Sequence, residues 1–193
     1  MDPRLHHYLR WLRSITRADL HPSAIVRRTE PVLAELLADP PRLEPAHRLL
    51  PEDEGSYGRH LLYRDPESDF VTIAMIWPPG FEGAVHDHGT WGVVGVLEGS
   101  VRLTNYGRED AGGDPQRVEL VEIGRVEAGP GAVAHVLPPH EDFHSVSNMS
   151  ATEGAITLHT YGHDIPMCRV VDLETGAVST MQSSYTSEAC LVV

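Results

Sequence analysis

At 193 residues the chain is long enough to fold as one domain around one core. Fifteen basic against 28 acidic residues give a formal charge of −13, which argues against nucleic acid or an anionic membrane as partner. No apolar run approaches a bilayer span, the N-terminus has no apolar signal core, and two cysteines are too few for a disulfide framework, so a cytoplasmic protein is expected.

Residues 1–50 read as helical. Leu5, Tyr8, Leu9, Leu12 and Ile15 recur at helical spacing. Val32, Leu33, Leu36 and Leu37 repeat the pattern after Thr29 and Pro31, which read as start signals. Neighbouring histidines on a helix face different ways, so His6 and His7 read as surface residues. A proline-rich connector runs from Pro40 to Ser56. From Tyr57 onward the pattern becomes short β segments: 57–64, 70–77, 83–88, 91–98, 100–107, 117–127, 131–136, 142–148, 154–161, 167–173 and 177–185. Gly, Pro and Asp punctuate them, as in an antiparallel sandwich or small barrel. The expected protein is mainly β and a single domain, with residues 1–50 packed on a barrel made by 51–193.

Within this barrel, His86-Asp87-His88 carries the chemistry. A strand alternates its side chains, so His86 and His88 share a face and Asp87 takes the other. A third imidazole, His144, follows from a distant strand. Three histidines on one side of a divalent metal leave positions open for substrates, as catalytic sites do. His135 and His140 compete for the third place, although both read more readily as solvent-facing, with His140 in a turn near the entrance. Gly80, six residues before His86, Gly99 closing the next hairpin, and His144-Ser-Val-Ser-Asn148 together resemble the two cupin motifs. That resemblance implies a double-stranded β-helix, a jelly-roll-like barrel, with the histidines at its mouth. Many metal cupins add a Glu shortly after H-x-H. Here the stretch is Gly89-Thr90-Trp91-Gly92-Val93, and a three-histidine Fe(II) centre would keep its charge of +2 and accept an anionic thiolate.

A second constellation lies on 154–161. Thr157, His159 and Tyr161 alternate, so a hydroxyl, an imidazole and a phenol share one face and can form a proton-carrying row. The competing reading is the polar outer face of an edge strand. His144 to Asn148 followed by Thr157-Leu158-His159-Thr160-Tyr161 resembles the cysteine dioxygenase, or thiol dioxygenase, family, in which a Ser-His-Tyr relay follows the third iron histidine. Thr157 stands for the usual Ser. The family's Tyr-x-Arg, whose Arg binds the substrate carboxylate, is matched by Tyr57-Gly58-Arg59, and Trp77 ends the next strand as the family's Trp does. Arg64 is a rival carboxylate binder, and Arg59 has the competing reading of a surface ion pair.

Two departures stand out. Mammalian-type members crosslink the active-site Tyr to a Cys just after H-x-H, where this chain has Gly92, as bacterial-type members do. The family's Ser-Pro-Pro after the Tyr is Gly162-His163-Asp164 here, and alternation from Tyr161 offers His163 as a pocket-wall residue; Cys168 is another candidate.

The resemblance implies an Fe(II)- and O2-dependent dioxygenase that converts a small carboxylated thiol to its sulfinic acid. L-cysteine is favoured, with 3-mercaptopropionate and mercaptosuccinate as alternatives. In that reading His86, His88 and His144 hold iron, Arg59 and Tyr57 bind the substrate, and Tyr161, His159 and Thr157 form the catalytic relay. A metal cupin of other chemistry (an isomerase, lyase or carbon-bond dioxygenase) and a small-ligand sensor are the other classes. Either a monomer or a homodimer is compatible with the sequence.

Overall fold

The computed structural model describes residues 2–53, 55–110, 114–139 and 142–188, so His140 and Cys190 lie outside the described residues. Helix α1 (Pro3–Thr16) begins where the Asp2 carboxylate accepts the Arg4 amide, with Pro3 in the first turn, where an amide is not needed. It buries Leu5, Tyr8, Leu9, Leu12 and Ile15, the stripe the spacing predicts. The second helix departs from expectation. α2 (Pro22–Ala38) starts at a His21 cap, upstream of Thr29, and Pro31 lies inside it. Ile25 and Val26 extend the buried stripe toward the N-terminus, and that packing outweighs the hydrogen bond lost at Pro31. None of the described helices is long and apolar enough to cross a membrane.

The strands follow in chain order: β1 (Gly58–Arg64), β2 (Val71–Trp77), β3 (Val85–His86), β4 (Gly92–Glu98), β5 (Val101–Arg108) and β6 (Leu120–Ala128). After them come β7 (Val133–Val136), β8 (His144–Ser147), β9 (Ala155–Tyr161), β10 (Met167–Val171), β11 (Val178–Gln182) and β12 (Ser187–Glu188). Each expected segment contains a strand, and β12 is an addition. It pairs in parallel with β1, His60 against Ser187. The strands form two six-stranded sheets, ordered β12-β1-β2-β9-β4-β7 and β11-β10-β3-β8-β5-β6. This is the expected mainly-β cupin barrel with a short helical region at its N-terminus.

The helices cover the outer face of the first sheet. Leu5, Leu9, Leu12, Leu33 and Leu37 form one cluster with Ala74, Ile76, Val93, Ile156 and Leu158. Residues of opposite parity, Ile73, Met75, Trp77, Val96 and Tyr161, point inward and pack against Val101, Leu103 and Val146 of the second sheet. β2 and β9 are therefore buried along their whole length. A register shift between Leu61 and Tyr63 turns the end of β1: Arg59 and Leu61 precede it, and Leu62 and Tyr63 join the helix-facing cluster.

Candidate active site

The sheet register brings the histidines together. His86 on β3 pairs directly with His144 on β8, and His88 follows two residues on, past the end of β3. Their ring centroids are 4.9, 4.9 and 4.7 Å apart, and one nitrogen from each lies within 4.8 Å of the others. Asp87 points away, as alternation requires, and its carboxylate accepts the Arg169 amide and Nε at 2.8 and 2.6 Å, tying β3 to β10.

The donor chemistry suits a divalent metal. His86 Nδ1 donates to the Ala84 carbonyl at 3.0 Å, and His88 Nδ1 donates to Asp142 Oδ1 at 3.1 Å. Both rings are thereby left with the Nε2 lone pair for a metal. His88 Nε2 is fully buried without a hydrogen-bond partner, an arrangement that is costly unless something coordinates it. Burial, reinforced by the charge of His88, lowers the His86 pKa to about 4, and the same two causes, with His86 in addition, hold His144 well below the ordinary range. His86 and His144 are therefore neutral at neutral pH, as ligation requires.

Asp142 is the support for this arrangement. Besides His88 Nδ1 it accepts the backbone amides of His88 and Gly89, at 2.9 and 3.1 Å. Burial pushes its pKa up, but these bonds prevail and hold it below the usual carboxylate range. Asp142→Asn is expected to weaken metal affinity about 10–100-fold, because the ring is no longer fixed by a carboxylate. Competition with a chromophoric chelator measures this directly, and an unchanged dissociation constant would remove Asp142 from the site.

The relay strand faces the histidines across the barrel. β9 sits between β2 and β4, not at an edge, and Thr157, His159 and Tyr161 point inward, so the edge-strand reading does not hold. Trp77 Nε1 donates to Thr157 Oγ1 at 2.7 Å, Thr157 Oγ1 lies 2.7 Å from His159 Nε2, and His159 Nδ1 lies 2.8 Å from Tyr161 Oη. An indole can only donate, so Thr157 accepts from Trp77 and has its own proton to place on His159 Nε2. With the Thr157 proton on His159 Nε2, His159 carries its own proton on Nδ1 and donates it to Tyr161; the other tautomer reverses both bonds. In the first arrangement the Tyr161 proton is left to point elsewhere; in both, the Tyr161 ring stacks on His88 at 5.2 Å. Burial, ahead of the charges of His88 and Arg59, takes His159 down to about 3, and burial raises the Tyr161 hydroxyl.

Gly92 is part of this geometry. It pairs with Tyr161 across β4 and β9, and a Cβ there would lie 2.6 Å from Tyr161 Cδ1 and 2.9 Å from Val136 Cγ2. The phenol ring occupies the space that a side chain at position 92 would need.

Arg59 lies in the same interior. It is 5% exposed, so the surface ion-pair reading does not hold. Its Nη2 donates to Asp164 Oδ1 at 3.1 Å and to the Ile165 carbonyl at 3.3 Å, and its guanidinium stacks 4.1 Å over the Tyr185 ring. Nε and Nη1 have no protein acceptor among the described residues. A cavity of about 270 Å³ joins Arg59 to His86, His88 and Tyr161, with Tyr57, Trp77, Met75, Ile165 and Cys168 among its walls. Tyr57 contributes an aromatic ring stacked with Trp77 and Phe81, at 5.4 and 5.6 Å.

Other candidates fall outside. Arg64 is exposed and pairs with Asp164 at 2.5 Å. His135 is exposed and pairs with Glu30 at 2.7 Å, outside the triad. His163 is exposed with its Nδ1 on the Asp164 carbonyl; β9 ends at Tyr161, so alternation does not carry through Gly162. Cys168 does reach the cavity, and burial, ahead of the nearby Asp87 charge, raises its thiol to about 11.

A model of the family described as "Cysteine dioxygenase type I" matches residues 51–174. The chain belongs to this family. It is also 23% identical over 141 residues to "Cysteine dioxygenase type 1" of Danio rerio, covering 70% of this chain and 66% of that protein. Among solved structures, the Schizosaccharomyces pombe Cnp3 cupin domain aligns with a TM-score of 0.42 and 16% identity, over 56% of this chain and 65% of that one. A cupin superfamily protein from Desulfitobacterium hafniense aligns at 0.43 and 14%, over 64% and 92%.

Three parts of this cysteine dioxygenase family site escaped the sequence reading. Asp142 stood in plain view two residues before His144, but nothing local says that it turns toward His88. Tyr185 and Asp164 meet Arg59 only through the tertiary fold, because the segment after β11 returns to β1, where Thr186 N donates to the Arg59 carbonyl.

Proposed function

We propose that this protein is a non-haem Fe(II) thiol dioxygenase that converts a small carboxylated thiol to its sulfinic acid. The observation that carries the reading is one cavity lined by His86 and His88, beside His144, at one side and by the buried Arg59 at another. His86, His88 and His144 would hold the metal, leaving open the positions that thiol and oxygen need. Bound ferrous ion would supply the chemistry that side chains lack, activation of dioxygen and a lowered pKa for the substrate thiol. Overall, RSH and O2 give RSO2H, so both oxygen atoms are retained and sulfur loses the four electrons that dioxygen gains.

The protein residues position and protonate. Arg59, whose Nε and Nη1 have no protein acceptor among the described residues, donates to the carboxylate and fixes the distance of the sulfur from the triad. Tyr161, held as acceptor by His159, presents its own O–H toward the reacting groups. Met75, Ile165 and Cys168 keep the cavity apolar and limit water. Trp77→Phe is expected to release the His159 tautomer and lower kcat about tenfold to a hundredfold with little change in KM. Nitrogen-15 shifts of the His159 ring would show Nδ1 and Nε2 exchanging protonation in that variant; an unchanged tautomer would refute the directional relay.

Anaerobic loading with Fe(II), followed by oxygen uptake and sulfinate analysis on L-cysteine, 3-mercaptopropionate and mercaptosuccinate, tests the function. One sulfinate per dioxygen is the expected outcome. Failure to consume oxygen with every carboxylated thiol, or full occupancy by tightly held zinc or nickel in active protein, would replace this reading with other metal cupin chemistry.

A further inference from the structure

From Met181 in β11 to Glu188 in β12 the side chains alternate between two environments. Met181, Ser183, Tyr185 and Ser187 are partly buried, whereas Gln182, Ser184, Thr186 and Glu188 are exposed. Each inward residue meets a different part of the barrel. Met181 and Ser183 line the cavity, Tyr185 covers Arg59, and Ser187 reaches His60.

Hydrogen bonds fasten this strip to β1 and to the turn before β10. Ser183 N donates to the Pro166 carbonyl at 2.8 Å, and Thr186 N donates to the Arg59 carbonyl at 2.7 Å. Arg59 N in turn donates to Thr186 Oγ1 at 3.0 Å. The fully buried His60 places Nδ1 2.8 Å from Ser187 Oγ, while its Nε2 donates to the Leu49 carbonyl at 2.8 Å. With residue 186 bonded to the backbone of residue 59, Tyr185 is delivered to the Arg59 side chain.

The Tyr185 ring lies 4.1 Å from the guanidinium carbon, and its hydroxyl donates to Asp164 Oδ1 at 2.6 Å. The same oxygen accepts from Arg59 Nη2 at 3.1 Å. Burial, ahead of the bond to Asp164, raises the Tyr185 hydroxyl, so it keeps its proton for that bond. One residue thus holds the guanidinium by its face and fixes the acceptor at its edge. A planar fork grips a carboxylate only when the two lie in a common plane, so tilting the guanidinium would spoil the grip. Tyr185 itself is not among the cavity walls.

Resting on the reading of Arg59 as the group that binds the substrate carboxylate, we propose that Tyr185 is a positioning residue for that carboxylate, setting the plane of Arg59 by stacking on it. It acts through Arg59 and does not touch the substrate.

Calorimetric titration of the iron-loaded protein under nitrogen tests this apart from turnover. The probes are 3-mercaptopropionate, its sulfur-free counterpart butyrate, and cysteamine, which has no carboxylate. Tyr185→Leu removes ring and hydroxyl, and is expected to bind 3-mercaptopropionate and butyrate about tenfold more weakly. Its affinity for cysteamine is expected to stay at the wild-type value, whereas a merely structural role would weaken all three probes together. Tyr185→Phe keeps the ring on the guanidinium and is expected to retain carboxylate affinity within about threefold. Unchanged carboxylate binding in Tyr185→Leu, an equal loss with cysteamine, or a loss in Tyr185→Phe as large as in Tyr185→Leu would each overturn the proposal. If neither thiol binds wild-type protein while butyrate still weakens with loss of the ring, the thiol reading fails and the role of Tyr185 stands.

Discussion

Replacing His88 with alanine is expected to strip the centre of its metal and to abolish thiol-dependent oxygen consumption. Loss of an outer partner of a metal ligand costs about 10–100-fold in affinity, so loss of the ligand itself exceeds that. The structure makes His88 the most consequential of the three. Its Nδ1 is fixed by Asp142, its Nε2 is buried without another partner, and its ring supports Tyr161. The alanine variant also leaves Asp142 without its imidazole, although the amides of residues 88 and 89 still satisfy it. The metal-free variant is therefore expected to fold. Thermal melting separates the two effects: a metal present at about a hundred times its dissociation constant stabilises by about 2.7 kcal/mol. Wild-type protein is expected to show that rise on adding Fe(II) under nitrogen, and the variant to show none. A variant that melts higher with metal and still consumes oxygen would place the centre elsewhere.

Arg59→Gln is expected to raise KM for carboxylated thiols by about thirtyfold or more, since truncating one partner of a desolvated charge pair costs about 2–5 kcal/mol. The effect should be selective. Cysteamine, a thiol without a carboxylate, is expected to react at its wild-type rate, because nothing in that substrate meets the arginine. Arg59 also holds Asp164 and the Ile165 carbonyl, so some loss of stability accompanies the change. An equal loss with cysteamine and with L-cysteine would make Arg59 a structural residue and would move carboxylate recognition elsewhere.

Much of the fold was legible because the chain states its periodicities plainly. The alternation of β2 and β9 and the glycines between strands mark the barrel, and the stripe from Leu5 to Ile15 marks α1. α2 was misread at its start because Thr29 and Pro31 imitate a helix entrance, while the hydrophobic face that decides the matter begins at Ile25. β12 was missed because a two-residue parallel pairing has no period of its own and depends on where β1 lies. In the site, spacing alone was enough to bring His86 beside His88, and to line up Thr157, His159 and Tyr161. The cross-strand pairing of His86 with His144 required the resemblance, since sequence distance carries no register. Asp142, Asp164 and Tyr185 were illegible for a further reason. Each acts by turning toward a side chain from another strand, and carboxylates and phenols are too common on surfaces for composition to single them out.

The burial of β9 on both faces has a consequence for timing. Its inner side chains form the relay, while on the outer face Thr160 Oγ1 lies 3.0 Å from Tyr8 Oη of α1 and 3.2 Å from Thr72 Oγ1. A strand held between two neighbours and covered on both sides opens only when the whole domain opens. Its amides are expected to be among the last to exchange with deuterated water, and that slowness extends to the phenol at its end. A substrate arriving in the cavity meets Tyr161 already in position, so no loop closure has to be awaited to assemble this part of the site.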